Sequence, residues 1–249
     1  MSATSLLITF LLFYRTRGII YAITGMSSIR LIGTIKCDLN KNLGNTGISS
    51  KTNAYVYKGR ILQKSFAGST IVDREAVAVK KISCGNENNF HIHLKEVSVM
   101  LKCDEHPNIV QYYCRETDNL DFQILIAMEL CLGTVQDLMD SKIAEIGPDD
   151  ISDVKLLHQI AKGVEYLHGR EPEAIIHRDL KPTNILLKIV AKEVCVKLCD
   201  FGISRVLPSK KTSVTLETNS GSVGWSSPEV LRAQPRTTSA NDVGRPRLS

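Results

Sequence analysis

The sequence predicts an α+β chain of two lobes, β-rich in its first half and helical in its second. Three observations carry this expectation. Residues 54–59, 75–82 and 122–130 alternate apolar with polar or run β-branched, as strands do. Residues 150–168 instead place Ile151, Val154, Leu157, Ile160, Ala161, Val164 and Leu167 at three- and four-residue spacing, the period of a helix with one apolar face. Between that helix and a further strand-like run at 194–199 stands a polar string, His177-Arg178-Asp179-Leu180-Lys181-Pro182-Thr183-Asn184.

The elements follow in order. Residues 29–128 read as strands interrupted by one helix. That helix is expected over 89–102, with Ile92, Val97, Val99, Met100 and Leu101 as its apolar residues, ending before His106-Pro107. The long helix at 150–168 is expected to take Asp149 or Asp150 as its N-cap. A polar loop, a β-hairpin and a serine/threonine-rich stretch at 208–222 come next. The change from β-rich to helical patterning falls near 129–133. The expected organisation is a tail or apolar segment at 1–28, a small lobe at 29–130, a large lobe at 131–243 and a tail at 244–249. No internal repeat is present.

Composition narrows the function classes. The chain has 249 residues, 43% of them hydrophobic and 23% charged, which suits a packed soluble protein. The net charge is +5, but lysine and arginine are spread along the chain, and aromatic residues are only 6%. That pattern favours a mildly basic enzyme over a nucleic-acid-binding module. The seven cysteines have no C-x-x-C pair and no framework spacing, so reduced thiols and no zinc site are expected. Cys195 and Cys199 sit four apart in a strand and read as core. The apolar segment 5–14, followed by Arg15 and Arg17, would rise about 15 Å as a helix, half a bilayer core. It reads as a buried strand or a tail rather than a span, and the arginines favour a cytosolic chain if it does insert.

The polar string and the triplet Asp200-Phe201-Gly202 hold the chemistry. Asp179, Lys181 and Asn184 share one tight loop, and Asp200 follows a strand. Phosphoryl transfer from ATP needs these groups. A carboxylate (Asp179) orients the attacking hydroxyl and accepts its proton, and a cation (Lys181) steadies the moving phosphoryl. An amide (Asn184) and a second carboxylate (Asp200) hold Mg2+ against the phosphates. Lys80 ends the strand Val77-Ala78-Val79-Lys80, and Lys81 points to the opposite face. With the downstream motifs, Lys80 reads as the grip on the α- and β-phosphates, and Glu96 on the following helix as its carboxylate partner. The glycine pattern that should cover the phosphates is irregular. Leu43-Gly44-Asn45-Thr46-Gly47 displaces the second glycine by one, and a third is absent, so a looser clamp on ATP is expected, with partial help from Ser50 and Lys51.

From about residue 33 to 242 the chain resembles eukaryotic serine/threonine protein kinases. Within them it is most similar to the kinase domain of the inositol-requiring unfolded-protein-response sensors, the ER membrane kinase/endoribonucleases. That resemblance rests on Asp104-Glu105-His106-Pro107-Asn108-Ile109-Val110, on Met128-Glu129-Leu130-Cys131, and on Leu157-His158-Gln159-Ile160-Ala161-Lys162-Gly163-Val164. It implies a bilobal kinase fold with ATP and Mg2+ as cofactors and a protein hydroxyl as acceptor. Adenine would contact Glu129 and Cys131 in the hinge, beside Met128. Val56 and Ala78 would roof it and Leu186 would floor it, with Leu43 and Gly44 alongside. Arg178 and Arg205 would pair with a phosphorylated activation loop, whose candidate carriers are Ser209, Thr212, Ser213, Thr215, Thr218 and Ser220. Ser222 would contact Asp179 and Lys181, Ser227-Pro228-Glu229 would close the segment, and Asp242 would brace the catalytic loop. The resemblance also implies a cytoplasmic location, at the ER membrane's cytosolic face if attached, and allows a homodimer through the kinase domains. Nucleic acid is not an expected partner.

Little sequence follows Glu229, and 244–249 place glycine, proline and charge where an apolar helix belongs. The expectation is a large lobe without its floor helices, no ribonuclease activity and reduced stability. An inert nucleotide-binding or dimerisation module is the alternative to an active kinase.

Overall fold

The computed structural model describes residues 29–32, 35–45, 53–64, 71–73, 76–101, 106–147, 149–200, 204–208, 213–215, 222, 225 and 236–243. The segment 5–14, the loop at 46–52 with Ser50 and Lys51, the triplet residues Phe201 and Gly202, the closing triplet 227–229 and most candidate phosphate carriers lie outside the described residues. The chain forms two compact units, Met1–Leu94 with Tyr112–Leu130, and Lys95–Gln111 with Cys131–Ser249.

The first unit is built on an antiparallel sheet. Its strands are β1 (Ile29–Ile32), β2 (Ile35–Asn45), β3 (Asn53–Lys64), β4 (Ile71–Asp73), β5 (Val77–Ser83), β6 (Tyr112–Asp118) and β7 (Gln123–Glu129). Their order is β1-β2-β3-β5-β7-β6, with β4 on β3. Strand alternation divides the sheet into two faces. One face packs Ile35, Cys37, Ile61, Val77, Val79, Leu125 and Ala127 into a core, with Tyr57 against it. Gly59 sits on that face because a Cβ there would stand 2.5 Å from Val79 Cγ2, so no larger residue fits. The opposite face carries Val56, Ala78, Lys80 and Met128, register partners in pairs: Val56 with Lys80, and Ala78 with Met128.

Helix α1 spans Glu87–Met100, starting two residues earlier than the periodicity implies because Asn86 accepts from the Asn89 amide at 2.9 Å. Its buried stripe is Phe90, Val97 and Met100. Ile92 lies about 200° around the helix from Phe90 and is exposed, contrary to its expected core role.

The second unit contains α2 (Val135–Met139), α3 (Asp153–His168) and the strands β8 (Gly133–Thr134), β9 (Glu173–Ile176), β10 (Ile185–Val190), β11 (Glu193–Leu198), β12 (Arg205–Pro208), β13 (Val214–Thr215) and β14 (Arg236–Thr237). Strands β10 and β11 form the expected hairpin. Its two-residue turn, Ala191-Lys192, has φ of 50° and 70°, the left-handed pair that suits the twist of a tight hairpin. Residues Lys95–Gln111 pack with this unit, although the sequence groups them with the first lobe. The reason is a polar latch on β11. Val110 N–H donates to Leu198 O, Leu198 N–H donates to Asn108 O, and the Asn108 side chain donates to Gln159 and to Val196 O.

Helix α3 starts three residues later than its pattern suggests. Ser152 is the N-cap, accepting from the Lys155 amide, whereas the Asp150 carboxylate turns back to the Gly147 amide at 2.6 Å. Its buried residues are Ile160, Gly163, Val164 and Leu167, while Val154 and Leu157 are 77% and 57% exposed. Of the expected seven-residue stripe, Ile151, Ile160, Val164 and Leu167 are buried, whereas Val154, Leu157 and Ala161 are exposed. Cys199 falls beyond the end of β11, and Cys195 and Cys199 are half-buried rather than core. Among the described residues no helix is long and apolar enough to cross a membrane.

Candidate active site

In the second unit, the loop after β9 brings three of the five expected catalytic residues, Asp179, Lys181 and Asn184, within hydrogen-bonding distance. Pro182–Asn184 makes one 3-10 turn, with proline at its start where no amide is needed. The turn folds Asn184 back onto Asp179, so that Asn184 Nδ2 donates to both Asp179 O and Asp179 Oδ2 at 2.8 Å. Lys181 Nζ stands 2.9 Å from Asp179 Oδ2, and Ser222 Oγ donates to Asp179 Oδ1 at 2.7 Å. Lys181 also donates to Ser222 Oγ at 2.5 Å, closing a ring of three side chains. Ser222 thus meets both residues that the resemblance assigned to it.

Asp179 is buried, its side chain 3% exposed. Burial pushes its carboxyl up. The hydrogen bonds from Lys181 and Ser222, the Lys181 charge and the Asn184 amide together outweigh that, and hold it below the usual carboxylate range. Asp179 is accordingly ionised near neutral pH.

A second buried carboxylate carries the loop from below. Asp242 ends a 3-10 turn, Ser239–Asp242, and its side chain has no exposure. It accepts from the amides of His177 at 2.8 Å and Arg178 at 2.6 Å, and meets His168 Nε2 at 2.8 Å. His177 ties the loop to the end of β11, its Nε2 lying 2.9 Å from Cys199 O. Arg178 and Asp200 flank that tie, and both adopt left-handed backbone, φ 70° and 65°. Such conformations cost of order 1–3 kcal/mol each in non-glycine residues and persist where neighbours over-determine them. The sequence reading named Asp242 as a brace but gave no part to His168, Gln159 or the His177 ring. Buried polar partners 22 to 74 residues apart leave no periodic signal.

The remaining expected residues divide by unit. In the first, Val56, Ala78, Lys80 and Met128 share one sheet face, and Lys80 is 7% exposed. Glu129 is buried at the end of β7, in register with Val77 on the opposite face. Gly44 pairs with Val56, and Leu43 falls in the irregularity between Asn42 and Gly44, half exposed. In the second, Leu186 lies on β10 between Thr134 and Lys197, Cys131 is half-buried ahead of β8, and Glu96 is half-buried on α1. Arg205 is in register with Ile176.

The donor set fits Mg2+. Asn184 Nδ2 is committed to Asp179, which leaves its carbonyl oxygen as a hard donor of the kind Mg2+ takes, and the Asp200 carboxylate would be the second. Among the described residues no group of three or more His, Cys, Asp or Glu could hold a metal. Magnesium characteristically takes one or two protein oxygens and completes its shell with water and substrate phosphate, so a sparse site is the expected kind.

The model of the protein kinase domain family matches residues 64–243. The chain belongs to the protein kinase family. Its fold is the α+β bilobal protein-kinase class that the resemblance implied. It is similar to the sensor for unfolded proteins in the ER ire1 of Schizosaccharomyces pombe, 38% identical over 64% of this kinase chain and 15% of the relative. The serine/threonine-protein kinase/endoribonuclease IRE2 of Homo sapiens is 34% identical over 71% of the chain and 19% of its own length. The serine/threonine-protein kinase CTR1 of Arabidopsis thaliana is 34% identical over 80% and 22%. The kinase chain thus aligns with less than a quarter of each of these relatives.

Proposed function

We propose that this chain transfers the γ-phosphoryl group of ATP to serine or threonine hydroxyls of proteins, its own activation segment among them. The observation that carries the reading is the closed cluster of Asp179, Lys181, Asn184 and Ser222. Asp179 Oδ1 has a lone pair beyond the one Ser222 uses, and the attacking hydroxyl donates to it. As the oxygen bonds to phosphorus, its proton passes to that carboxylate. The low proton affinity of Asp179 makes orientation its first task and proton acceptance a late one. Lys181, fixed at Asp179, lends its charge to the phosphoryl oxygens in flight. Mg2+, when bound, neutralises phosphate charge and orients the chain for in-line transfer. Asn184 Oδ1 and Asp200 hold it, and Lys80, paired with Glu96, grips the α- and β-phosphates. Val56, Ala78, Met128 and Leu186 enclose the adenine, with Leu43, Gly44, Glu129 and Cys131 at its edge.

The similarity to unfolded-protein-response kinases supports a place in that response at the ER membrane's cytosolic face, with pairing through the kinase domains. The test is phosphate incorporation into a generic protein substrate, and into the chain itself, with ATP and Mg2+. Asp179→Asn should lower the rate by roughly 10²–10⁴-fold. Equal incorporation by the two proteins would overturn the reading in favour of an inert nucleotide-binding module.

A further inference from the structure

Phosphoryl transfer leaves one feature of the small lobe unused. A groove of about 460 Å³ lies over β2 and β3, lined by Lys36, Asp38, Lys41, Lys58 and Arg60 around the backbone of Gly59. Strand register explains the concentration of charge. Lys36 stands directly opposite Arg60, and Lys58 follows two residues away on the same face of β3. Directly opposed residues hold their Cβ atoms about 4.5–5.5 Å apart and diagonal ones about 7–8 Å, so three cations fall within reach of one small anion. Like charges directly opposed destabilise a strand pair. Among the described residues that line the groove the one carboxylate, Asp38, pairs with Lys41 at 3.5 Å. Among the described residues, Lys36 and Lys58 have no ion-pair partner.

We propose that this groove binds a phosphomonoester, carried on a phosphorylated serine or threonine of a protein segment. Such a group bears a charge of about −1.5 to −2 at pH 7 and presents three strong acceptor oxygens, enough for Lys36, Lys58 and Arg60 at once. The cations stand on paired strands, so little backbone ordering opposes binding. The groove accommodates a side chain and its neighbours rather than a folded surface. Among the described residues that line it there is no aromatic ring to serve as a stacking platform for single-stranded nucleic acid. The site is distinct from the grip at Lys80. Lys58, in register with Ala78, borders the adenine face, but Lys80 is in register with Val56, and Arg60 lies four residues beyond Val56 along β3, about 13 Å further. The proposal does not require the chain to be an active enzyme.

The probe is a short fluorescein-labelled glycine/alanine peptide with one central phosphoserine, titrated with the full chain and followed by anisotropy. It should bind at least about tenfold more tightly than its unphosphorylated twin, and more tightly than inorganic phosphate competes. Saturating ATP with Mg2+ should not displace it. The double variant Lys36→Glu/Lys58→Glu should abolish the preference with the circular dichroism spectrum unchanged. Lys58→Met, a neutral change at an exposed position, keeps the test decisive if the double variant unfolds, and should remove part of the preference. Equal binding of the two peptides, displacement by ATP, tighter binding of an unstructured oligoribonucleotide or of free phosphate, or an unchanged preference in both variants would each overturn the proposal.

Discussion

The two halves of α3 meet different surroundings. Toward its C-terminus Ile160, Gly163, Val164 and Leu167 are buried, and His168 reaches the Asp242 carboxylate under the catalytic loop. In its first turns Val154 and Leu157 stand largely open. One amphipathic sequence thus does two jobs. Its second half anchors the loop that holds Asp179, and its first half contributes an apolar surface that nothing among the described residues covers. The energetics of the site should be concentrated accordingly, and substitutions can break or sharpen that contrast.

The largest effect is expected from Asp242→Ala. It orphans the buried amides of His177 and Arg178, at about 1–3 kcal/mol for each unsatisfied donor, so roughly 2–6 kcal/mol in urea denaturation. A loss below 1 kcal/mol would mean that the loop holds itself. Leu167→Ala should follow, at about 2–5 kcal/mol, because the side chain is fully buried and its removal leaves a cavity. Gly163→Ala comes next. A Cβ there would stand 2.8 Å from Leu198 Cδ1 and 2.9 Å from the Asn108 carbonyl oxygen, and the carbonyl cannot swing aside. Overpacking of about 1–3 kcal/mol should appear as a lower denaturation midpoint.

Acid tests the same half without substitution. The Asp179 carboxyl is held below its unfolded value of about 3.9, so its contribution is present above that pH and fades as pH falls through the lower folded value. The wild type should lose stability on acidification below about pH 4 more steeply than Asp179→Asn does. Identical pH profiles would show that the carboxylate gains nothing from its neighbours. The smallest effect belongs to the open half. Leu157→Ala should change stability by no more than about 0.5 kcal/mol, and a loss near that of Leu167→Ala would erase the contrast.

Much of this was legible in the residues, for reasons that differ from place to place. The order of Asp179, Lys181 and Asn184 could be read because a single turn with Pro182 brings them together, and short-range geometry is written in short-range sequence. The sheet could be read because alternation assigns faces, which is how Lys80 separates from Lys81. Periodicity names the apolar face of a helix but not its cover, which is why the stripe of α3 was over-counted and Ile92 misassigned. The cap of α3 went to Ser152 because Asp150 found a closer amide at Gly147. The assignment of Lys95–Gln111 to the second unit depended on Asn108 and Gln159, polar residues whose burial no local pattern announces.

The bond from Asp242 to the His177 amide joins positions 65 residues apart. During synthesis the loop bearing Asp179 therefore leaves the ribosome well ahead of the carboxylate that fixes it. At about 5–20 residues per second, that delay is roughly 3–13 s. Asp179, Lys181 and Asn184 exist from its start, Cys199 and Ser222 join them within it, and the floor comes last. The nascent loop thus lacks the acceptor for its His177 and Arg178 amides until Asp242 has emerged, a built-in delay between making these side chains and fixing them in place.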